Sequence, residues 1–337
     1  MTLKERINAL VSLGKTIDID QNVWRFAIEE ACAQNPWFTP ASINLSLQGI
    51  KHFLHEDDLQ RWAELYAIPS SNISKRCGLI MAGNIPCVGF HDLLCVFLTG
   101  NHAVIKLSSK DSVLPQFIVQ TICAIDPRCN EYFNVVERLT DIDAIIATGS
   151  NNSSRYFEMY FAKYPHIIRK NRNGIAVLYG DERDEDIRAL GLDIFAYFGL
   201  GCRNVSKIYI PENYNFDQLM AILHEFNDVV NHNKYKNNFD YNIALFMLNK
   251  AQYMNNGAFM LVKEKSLASR IASVNYEYFE SIESLTRELT SLSEQIQCVV
   301  STRELEGIKT IRPGTSQSPT FIDYADGIDT MQFLQTI

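Results

Sequence analysis

One cysteine of this sequence stands in a setting that suits a reactive thiol. Cys202 lies in the segment Gly-Leu-Gly-Cys-Arg-Asn (199–204), where two glycines precede it and Arg203 follows it. Glycines let a ligand approach the backbone closely, and a neighbouring positive charge favours the thiolate form of a cysteine. The pattern makes Cys202 a candidate nucleophile. A buried structural cysteine in a tight glycine turn is the alternative, and the segment alone favours neither.

The other cysteines carry no such signal. The sequence has 8 cysteines, with no C-x-x-C pair and no cluster with histidine at zinc-ligand spacing. Several, such as Cys95 and Cys298, lie inside apolar runs, where a thiol acts as a small buried hydrophobic group. The sequence therefore predicts a reduced, cytoplasmic protein without a metal site.

Two further polar corners lie where a predicted strand passes into a predicted helix. Asn84 lies in Met-Ala-Gly-Asn-Ile-Pro (81–86), and Ala-Thr-Gly-Ser (147–150) contributes Thr148, Gly149 and Ser150. Backbone N–H groups at such a helix start can bind a pyrophosphate. An ordinary capped turn is the alternative, and it is the commoner outcome for either corner alone. The sequence contains neither G-x-G-x-x-G nor a P-loop motif.

The elements that must position these corners follow from hydrophobic spacing. The first 70 residues carry apolar residues at helical spacing, including a helix that opens at Thr39-Pro40. From about residue 76, short apolar strands alternate with helices, and a second such series starts near residue 174. This alternation predicts parallel βαβ units with both faces of each sheet covered. The segment NHNKYKNNFDYN (231–242) predicts a polar loop with no core-forming pattern.

The length of 337 residues favours two domains or one large α/β unit, and the composition excludes several classes of protein. The two α/β series are expected to meet near residue 173, where Asn173-Gly174 interrupts the pattern. Hydrophobic residues at 47% and charged residues at 21% are typical of a globular protein. The net charge of −8 argues against a nucleic-acid or anionic-membrane surface, and no apolar stretch is long enough for an integral membrane segment.

Taken in order, the corners resemble a known enzyme superfamily. Asn-x-Pro, a strand ending in lysine, a Thr-Gly-Ser turn and Gly-x-Gly-Cys resemble the aldehyde dehydrogenases, and most closely the LuxC-like acyl-CoA reductase branch. The matching segments, within about residues 76 to 211, are GNIPCVGFHDLLCVFLTGNHAVIKLSSKD, IIATGSNNSSRYF, IIRKNRNGIAVLYGDE and FGLGCRNVSKIYIP. The resemblance implies an α/β, aldehyde-dehydrogenase-like fold. A helical N-terminal segment and a Rossmann-like cofactor lobe would span 1–173, and an α/β catalytic lobe would span 174–312. The remaining 313–337 would return to the cofactor lobe or to a subunit interface, as in related chains.

The resemblance also implies roles for individual residues. Cys202 would take an acyl group as an enzyme thioester, and Asn84 with the backbone N–H of Cys202 would form the oxyanion hole. Lys106 would reach the adenosine ribose of a nicotinamide cofactor. Thr148, Gly149 and Ser150 would border the pyrophosphate and the nicotinamide.

The turn after Lys106 departs from the superfamily pattern. Many members place an acidic residue there to bind the ribose hydroxyls, whereas this chain has Ser108, Ser109 and Lys110. A carboxylate would repel a 2′-phosphate, and serines flanked by lysines would attract one. We therefore expect the cofactor to be NADPH. Lysines that only solvate a surface loop are the alternative.

A second departure concerns the general base. Aldehyde-oxidising members carry a glutamate that activates the hydrolytic water, and the alignment places Arg169 at that position. Glu158 and Glu182 are the candidate substitutes. Without a base, an acyl thioester persists until it is reduced or returned to coenzyme A.

The expected activity is NADPH-dependent reduction of an acyl-CoA thioester, with a fatty acyl chain favoured, to the aldehyde. An acyl phosphate or an acyl-carrier-protein thioester is an alternative substrate. A catalytically inactive nucleotide-binding protein of the same fold is an alternative of a different class. A homo-oligomer or an acyl-transferring protein partner is compatible with the resemblance.

Overall fold

The computed structural model of the protein describes residues 1–69 and 74–337, and it divides into two compact units. The first unit comprises Met1–Asn171 and Thr320–Ile337, and the second comprises Arg172–Pro319. The first boundary lies two residues from the expected position. The second unit extends past the expected residue 312, because the backbone N–H groups of Gly314 and Ser316 both donate to the buried Asp193 carboxylate of that unit.

Within the described residues the chain forms twelve α-helices and twelve β-strands. The helices are α1 (Leu3–Thr16), α2 (Asn22–Gln34), α3 (Pro40–Phe53), α4 (Glu56–Leu65), α5 (Phe90–Leu98), α6 (Val113–Ile125), α7 (Asn151–Phe161), α8 (Asp184–Phe195), α9 (Phe216–Leu223), α10 (Asn233–Leu248), α11 (Ile282–Ser291) and α12 (Thr330–Thr336). The strands are β1 (Arg76–Ile80), β2 (His102–Lys106), β3 (Phe133–Val135), β4 (Ala144–Thr148), β5 (His166–Arg169), β6 (Asn173–Val177), β7 (Val205–Ile210), β8 (Tyr253–Asn255), β9 (Met260–Lys263), β10 (Ser273–Tyr278), β11 (Ile296–Ser301) and β12 (Thr310–Ile311).

The first unit contains a five-stranded parallel sheet in the order β3-β2-β1-β4-β5. The chain builds outward from β1 through β2 to β3, then returns to place β4 on the other side of β1. This reversal is the switch point of a doubly wound fold, and the carboxyl ends of the strands beside it form the usual ligand crevice. Helix α7 packs on one face of the sheet through Phe157 and Phe161, and the other face joins the large helical core.

The helical N-terminal segment forms as its spacing predicts. Thr39 caps α3 by accepting a hydrogen bond from the Ser42 N–H, and Pro40 occupies the first helical position. Trp24 and Trp62 are fully buried in the core that these helices share with α5 and α6. The residues from Thr320 onward complete this core, because the Trp62 indole N–H donates to the Tyr324 hydroxyl at 2.9 Å.

The second unit contains a seven-stranded sheet in the order β12-β11-β6-β7-β10-β9-β8, in which only the pair of β8 and β9 is antiparallel. Helices α8 and α9 cover one face and α11 covers the other. The short apolar strands of the sequence thus have both faces buried, as parallel sheets require.

The prediction of a polar loop over 231–242 is wrong. Residues from Asn233 onward form α10, and Tyr235, Phe239 and Asn242 lie buried on one side of it. Their spacing of four and three residues is that of a helix face. The Tyr235 hydroxyl donates to the Ala258 carbonyl at 3.0 Å, which satisfies its polar end within the core.

None of the helices in the described part of the chain combines the length and apolar character needed to cross a membrane.

Candidate active site

Cys202 lies in the connection between α8 and β7, residues 196–204, in the second unit. The backbone of this connection is unusual, because Tyr197, Phe198 and Gly199 all have left-handed conformations, with φ of 52°, 58° and 75°. A non-glycine residue in this region costs about 1–3 kcal/mol and persists only where the surrounding structure holds it. The connection is therefore fixed by specific contacts.

Asn204 provides several hydrogen bonds of this connection. Its side chain is 3% exposed, and its Oδ1 accepts a hydrogen bond from the Gly201 N–H at 2.8 Å. Its Nδ2 donates to the carbonyls of Asp193 at 2.9 Å and Ala196 at 2.8 Å. The Asn204 N–H also donates to the Gly201 carbonyl at 3.1 Å. Gly201 and Asn204 thus close a turn from both sides around Cys202 and Arg203.

A second set of contacts joins this turn to the segment around residue 316. Asp193 is fully buried, and its carboxylate accepts from the N–H groups of Gly314 at 2.6 Å and Ser316 at 2.9 Å. Burial raises the pKa of Asp193, and the two amides together with Arg203 act against that rise. The Arg203 Nε donates to the Ser316 carbonyl at 2.6 Å. Both neighbours of Cys202 are therefore held, Arg203 by the Ser316 carbonyl and Gly201 by the Asn204 side chain.

Cys202 is less buried than most of the other cysteines. Cys202 is partly exposed, whereas Cys77, Cys87 and Cys95 are fully enclosed, and burial raises the pKa of each of those three thiols. A thiol that is reactive as a thiolate must be reachable by substrate. No disulfide forms among the cysteines of the described chain.

Asn84 lies in the first unit, in the turn between β1 and α5, and it is partly buried. The turn is held by a hydrogen bond that the Cys87 N–H donates to the Asp111 carboxylate at 2.7 Å. Cys87 itself has a left-handed conformation, with a φ of 55°. Gly83 packs so closely on the next turn that a Cβ at this position would lie 2.6 Å from the Ser108 Oγ. The backbone around Asn84 is thus fitted against residues 108–111.

Asp111 is a buried carboxyl that sequence analysis did not single out. It is 1% exposed, and in the described part of the chain its Oδ1 has no hydrogen-bond partner. Burial raises the pKa of Asp111 to about 7, while the Cys87 N–H acts in the opposite direction. The only acidic residue of the 106–111 segment therefore faces the protein interior.

The remaining residues of the 106–111 turn are accessible. Lys106 is exposed at the end of β2, and its Nζ donates to the Glu137 carbonyl at 3.0 Å. Ser109 and Lys110 are also exposed, and the Ser108 Oγ accepts from the Lys110 N–H at 3.2 Å. The turn presents two ammonium groups and serine hydroxyls at the carboxyl end of the sheet.

Thr148 ends β4, and Ser150 is the N-cap of α7. The Ser150 Oγ accepts from the Ser153 N–H at 3.3 Å. Gly149 has no space for a side chain, since a Cβ there would lie 2.9 Å from both Phe157 Cε2 and Ser153 Cβ. The strand and the helix N-terminus therefore meet in a compact turn, the geometry that favours anion binding at a helix start.

The structure brings all seven predicted site residues of the first unit to one edge of one sheet. Strands β1, β2 and β4 are adjacent and parallel, so their carboxyl ends share that edge. The residues that follow these ends are Asn84, Lys106, Ser108, Ser109, Thr148, Gly149 and Ser150. Cys202 belongs to the other unit, at the start of β7.

Arg169 has a structural function in the first unit. It is 3% exposed and pairs with Asp92 at 2.5 Å. It also donates to the Ala325 carbonyl at 2.5 Å and the Thr330 hydroxyl at 2.9 Å, which ties α5 and β5 to the C-terminal segment. Both candidate substitute bases have partners in the structure. Glu182 accepts from two backbone N–H groups, and the exposed Glu158 pairs with Lys170.

The sequence patterns did not indicate the supporting contacts of Asn204, Asp193 and Asp111. The position of Asn204 two residues after Cys202 was visible, but its acceptors lie in the last turn of α8 and at the residue that follows this helix. Among residues 1–69 and 74–337, no group of three histidine, cysteine or acidic side chains is placed to hold a metal ion.

Comparison with known proteins decides the family. The model of the acyl-CoA reductase (LuxC) family matches residues 46–262, a span that contains Asn84, Lys106, Thr148 and Cys202. The chain belongs to the acyl-CoA reductase (LuxC) family. Members of this family are aldehyde-forming oxidoreductases, and the protein is an enzyme of this type. A search of curated proteins finds no match.

Solved structures show the fold of this acyl-CoA reductase family member. An NAD-dependent aldehyde dehydrogenase from Sinorhizobium meliloti is 14% identical, with a TM-score of 0.66 over 93% of this chain and 74% of that one. An aldehyde dehydrogenase from Mycobacterium tuberculosis, complexed with NAD+, is 13% identical, with a TM-score of 0.66 over 93% and 77%. A mutant aldehyde dehydrogenase C from Pseudomonas syringae, complexed with NAD+ and octanal, is 11% identical, with a TM-score of 0.64 over 90% and 73%. The chain has the aldehyde dehydrogenase fold, as its resemblance implied.

Proposed function

We propose that the protein reduces a fatty acyl-CoA thioester to the aldehyde with NADPH, through a thioester on Cys202. The observation that carries this proposal is the family match across the Cys202 turn, in which a partly exposed thiol stands on a tightly held backbone. Such a turn suits a nucleophile, because its position does not have to be established anew in each catalytic cycle.

The covalent half of the reaction uses the Cys202 sulfur. As a thiolate it attacks the acyl carbonyl carbon, and the carbon–sulfur bond to coenzyme A breaks. The departing coenzyme A takes the proton that Cys202 gave up, so the acyl group stays on the enzyme as a thioester. We assign Asn84 the role of oxyanion donor on the family resemblance alone. Loss of one such donor lowers kcat by about 100- to 1,000-fold in comparable sites.

The residues of the first unit fit a nicotinamide nucleotide. The strand order reverses between β1 and β4, and the capped N-terminus of α7 lies beside this reversal. When bound, such a cofactor would supply the hydride that reduces the thioester carbonyl. The hemithioacetal anion on Cys202 would re-form the carbon–oxygen double bond as the carbon–sulfur bond breaks, which frees the aldehyde and the Cys202 thiolate.

The preference for NADPH is supported by the 106–111 turn. Lys106 and Lys110 are exposed, whereas Asp111 is buried with its carboxylate on the Cys87 N–H. No accessible carboxylate of this turn is therefore available to repel a 2′-phosphate.

The nucleophile is tested with radiolabelled acyl-CoA. We expect Cys202→Ala to lose both covalent label and NADPH oxidation. Cys123→Ala, which changes another partly exposed cysteine, is the matched control and should keep both. Label on Cys202→Ala equal to that on the parent would remove the assignment. Parallel reactions with an acyl phosphate and an acyl-carrier-protein thioester identify the natural acyl donor class.

The cofactor preference is tested with Lys110→Glu, with Lys15→Glu on α1 as a control of equal charge change. We expect Lys110→Glu to raise the KM for NADPH about 10-fold, the equivalent of about 1.4 kcal/mol, and to leave the KM for NADH near the parent value. Equal effects on both cofactors would contradict the phosphate contact.

We expect slow hydrolysis of the enzyme thioester, because Arg169 is held in a buried ion pair and the two candidate substitute bases, Glu158 and Glu182, have partners of their own. Without NADPH, acyl-CoA should label Cys202 and release little free acid. Rapid release of free acid would show that another group activates water and would overturn this part of the proposal.

A further inference from the structure

Asn204 makes hydrogen bonds that no other side-chain type of this size can make together. Its oxygen accepts from the Gly201 N–H, and its nitrogen donates to the carbonyls of Asp193 and Ala196. An ionised aspartate accepts only, and an aliphatic residue does neither. The carboxamide thus satisfies the last carbonyls of α8, which have no partner within the helix, and simultaneously holds the residue before Cys202.

Two hydrogen bonds close the Gly201–Asn204 turn, and each of the two residues is the donor in one of them. The Asn204 N–H donates to the Gly201 carbonyl at 3.1 Å, and the Gly201 N–H donates to the Asn204 Oδ1 at 2.8 Å. Cys202 and Arg203 are the two residues enclosed. Since Asn204 is bonded to the end of α8 and Gly201 is bonded to Asn204, these contacts constrain the direction of the Cys202 Cα–Cβ bond.

The strained backbone just before the turn persists only while contacts hold it, and Asn204 supplies several of them. Tyr197 and Phe198 have φ of 52° and 58°, a conformation that relaxes unless it is held. The Asn204 Nδ2 binds the Ala196 carbonyl immediately before this stretch, and the Oδ1 binds the Gly201 N–H just after it. One buried side chain therefore spans the whole strained stretch.

We propose that Asn204 is a positioning residue of the reductase, whose carboxamide holds the Cys202 turn in the conformation from which the thiolate attacks. The proposal rests on the proposed function, since it concerns the orientation of the same nucleophile. Asn204 acts through the backbone on either side of Cys202. Loss of its hydrogen bonds lets the turn relax, and a misplacement of about 1 Å costs about 100-fold in rate.

The test compares Asn204→Ala with Asn275→Ala in the full chain. Asn275 is the matched control, because it is 4% exposed, lies in the same unit and donates to two backbone carbonyls, those of Ser266 and Ala268. Both variants should lower the melting temperature. Only Asn204→Ala should lower the rate of Cys202 acylation and kcat by about 100-fold, with the KM for acyl-CoA near the parent value.

A second readout does not require turnover. Iodoacetamide alkylation of Cys202, followed by peptide mass spectrometry, should change in rate for Asn204→Ala and stay at the parent rate for Asn275→Ala. Asn204→Asp keeps the acceptor and loses the donors when ionised, and it should behave like Asn204→Ala. In the unmodified protein the Gly201 N–H should exchange slowly with deuterium, a measurement that needs no variant. Fast exchange would overturn the proposal.

Two failures remain distinguishable. If Cys202→Ala keeps its acyl label, the proposed function fails whatever Asn204 does. If Cys202→Ala loses its label while Asn204→Ala and Asn275→Ala have equal kcat, the proposed function stands and the positioning function of Asn204 is refuted.

Discussion

Replacement of Asp111 by asparagine should stabilise the protein at neutral and alkaline pH. The carboxyl is 1% exposed, and burial raises its pKa from 3.8 to about 7. At about 1.36 kcal/mol per pKa unit, this rise corresponds to about 4 kcal/mol of stability lost on ionisation. Asparagine has the same shape, can accept the Cys87 N–H and cannot ionise.

The sign of the pH dependence follows from the raised pKa. Below pH 4 the carboxyl is protonated in the folded and unfolded chains alike, so it has no effect on the free energy of unfolding. Between pH 4 and 7 the unfolded chain ionises first, and the parent protein loses stability until the folded carboxyl also ionises. The advantage of Asp111→Asn should therefore grow from pH 4 to 7 and stay constant above pH 7.

Thermal unfolding of the full chain between pH 5 and 8 measures this effect. At about 2–4 °C per kcal/mol, the difference between variant and parent at pH 8 should approach 10 °C. Asp143→Asn, which changes an exposed aspartate that accepts from the Arg76 N–H, controls for the chemistry of the substitution. An Asp111→Asn protein that is less stable than the parent at pH 8, or a difference independent of pH, would refute the reasoning.

Three further changes test the packing of the first unit by urea unfolding. Arg169→Met leaves Asp92 without its cation and should lower the free energy of unfolding by about 3–5 kcal/mol. Adding Asp92→Asn to this variant should restore part of the loss, and an unchanged urea midpoint for Arg169→Met would contradict the buried pair. Gly149→Ala places a Cβ 2.9 Å from Phe157 and should cost about 1–3 kcal/mol, and a stabilised variant would show that the turn has room. Tyr324→Phe leaves the Trp62 indole N–H buried without its acceptor and should cost about 1–3 kcal/mol, whereas parent-like stability would mean that this hydrogen bond contributes little.

Much of the fold was predictable because the local sequence patterns of its strands and helices agree with the burial that the complete fold gives them. The apolar runs of β1, β2 and β4 are strands buried on both faces, and the Thr39-Pro40 start of α3 carries its own cap. The loop prediction for 231–242 was wrong because most of its residues are polar, while only Tyr235, Phe239 and Asn242 form the narrow buried face of the helix. Composition over a window averages out such a face, and only its spacing distinguishes it from a loop.

The candidate site was predictable in its motifs and not in its supports. Cys202 and Asn84 stand in turns whose glycines and prolines mark them in the sequence. The carboxylate of Asp193, by contrast, meets the Gly314 amide 121 residues further along the chain. Asp111 follows the exposed residues Ser109 and Lys110, and nothing local indicates that its side chain turns inward. Contacts of this kind depend on the completed fold and leave no pattern at short range.

The division of the first unit into two stretches has a consequence for biosynthesis. The ribosome must translate all 148 residues of Arg172–Pro319 before it reaches the segment that covers Trp62 and binds Arg169. At about 5–20 residues per second this interval lasts about 7–30 s. Throughout it, the apolar surface around Trp62 that the C-terminal segment covers stays open on the nascent chain. A nonsense mutation within Arg172–Pro319 would leave that surface uncovered in the finished product.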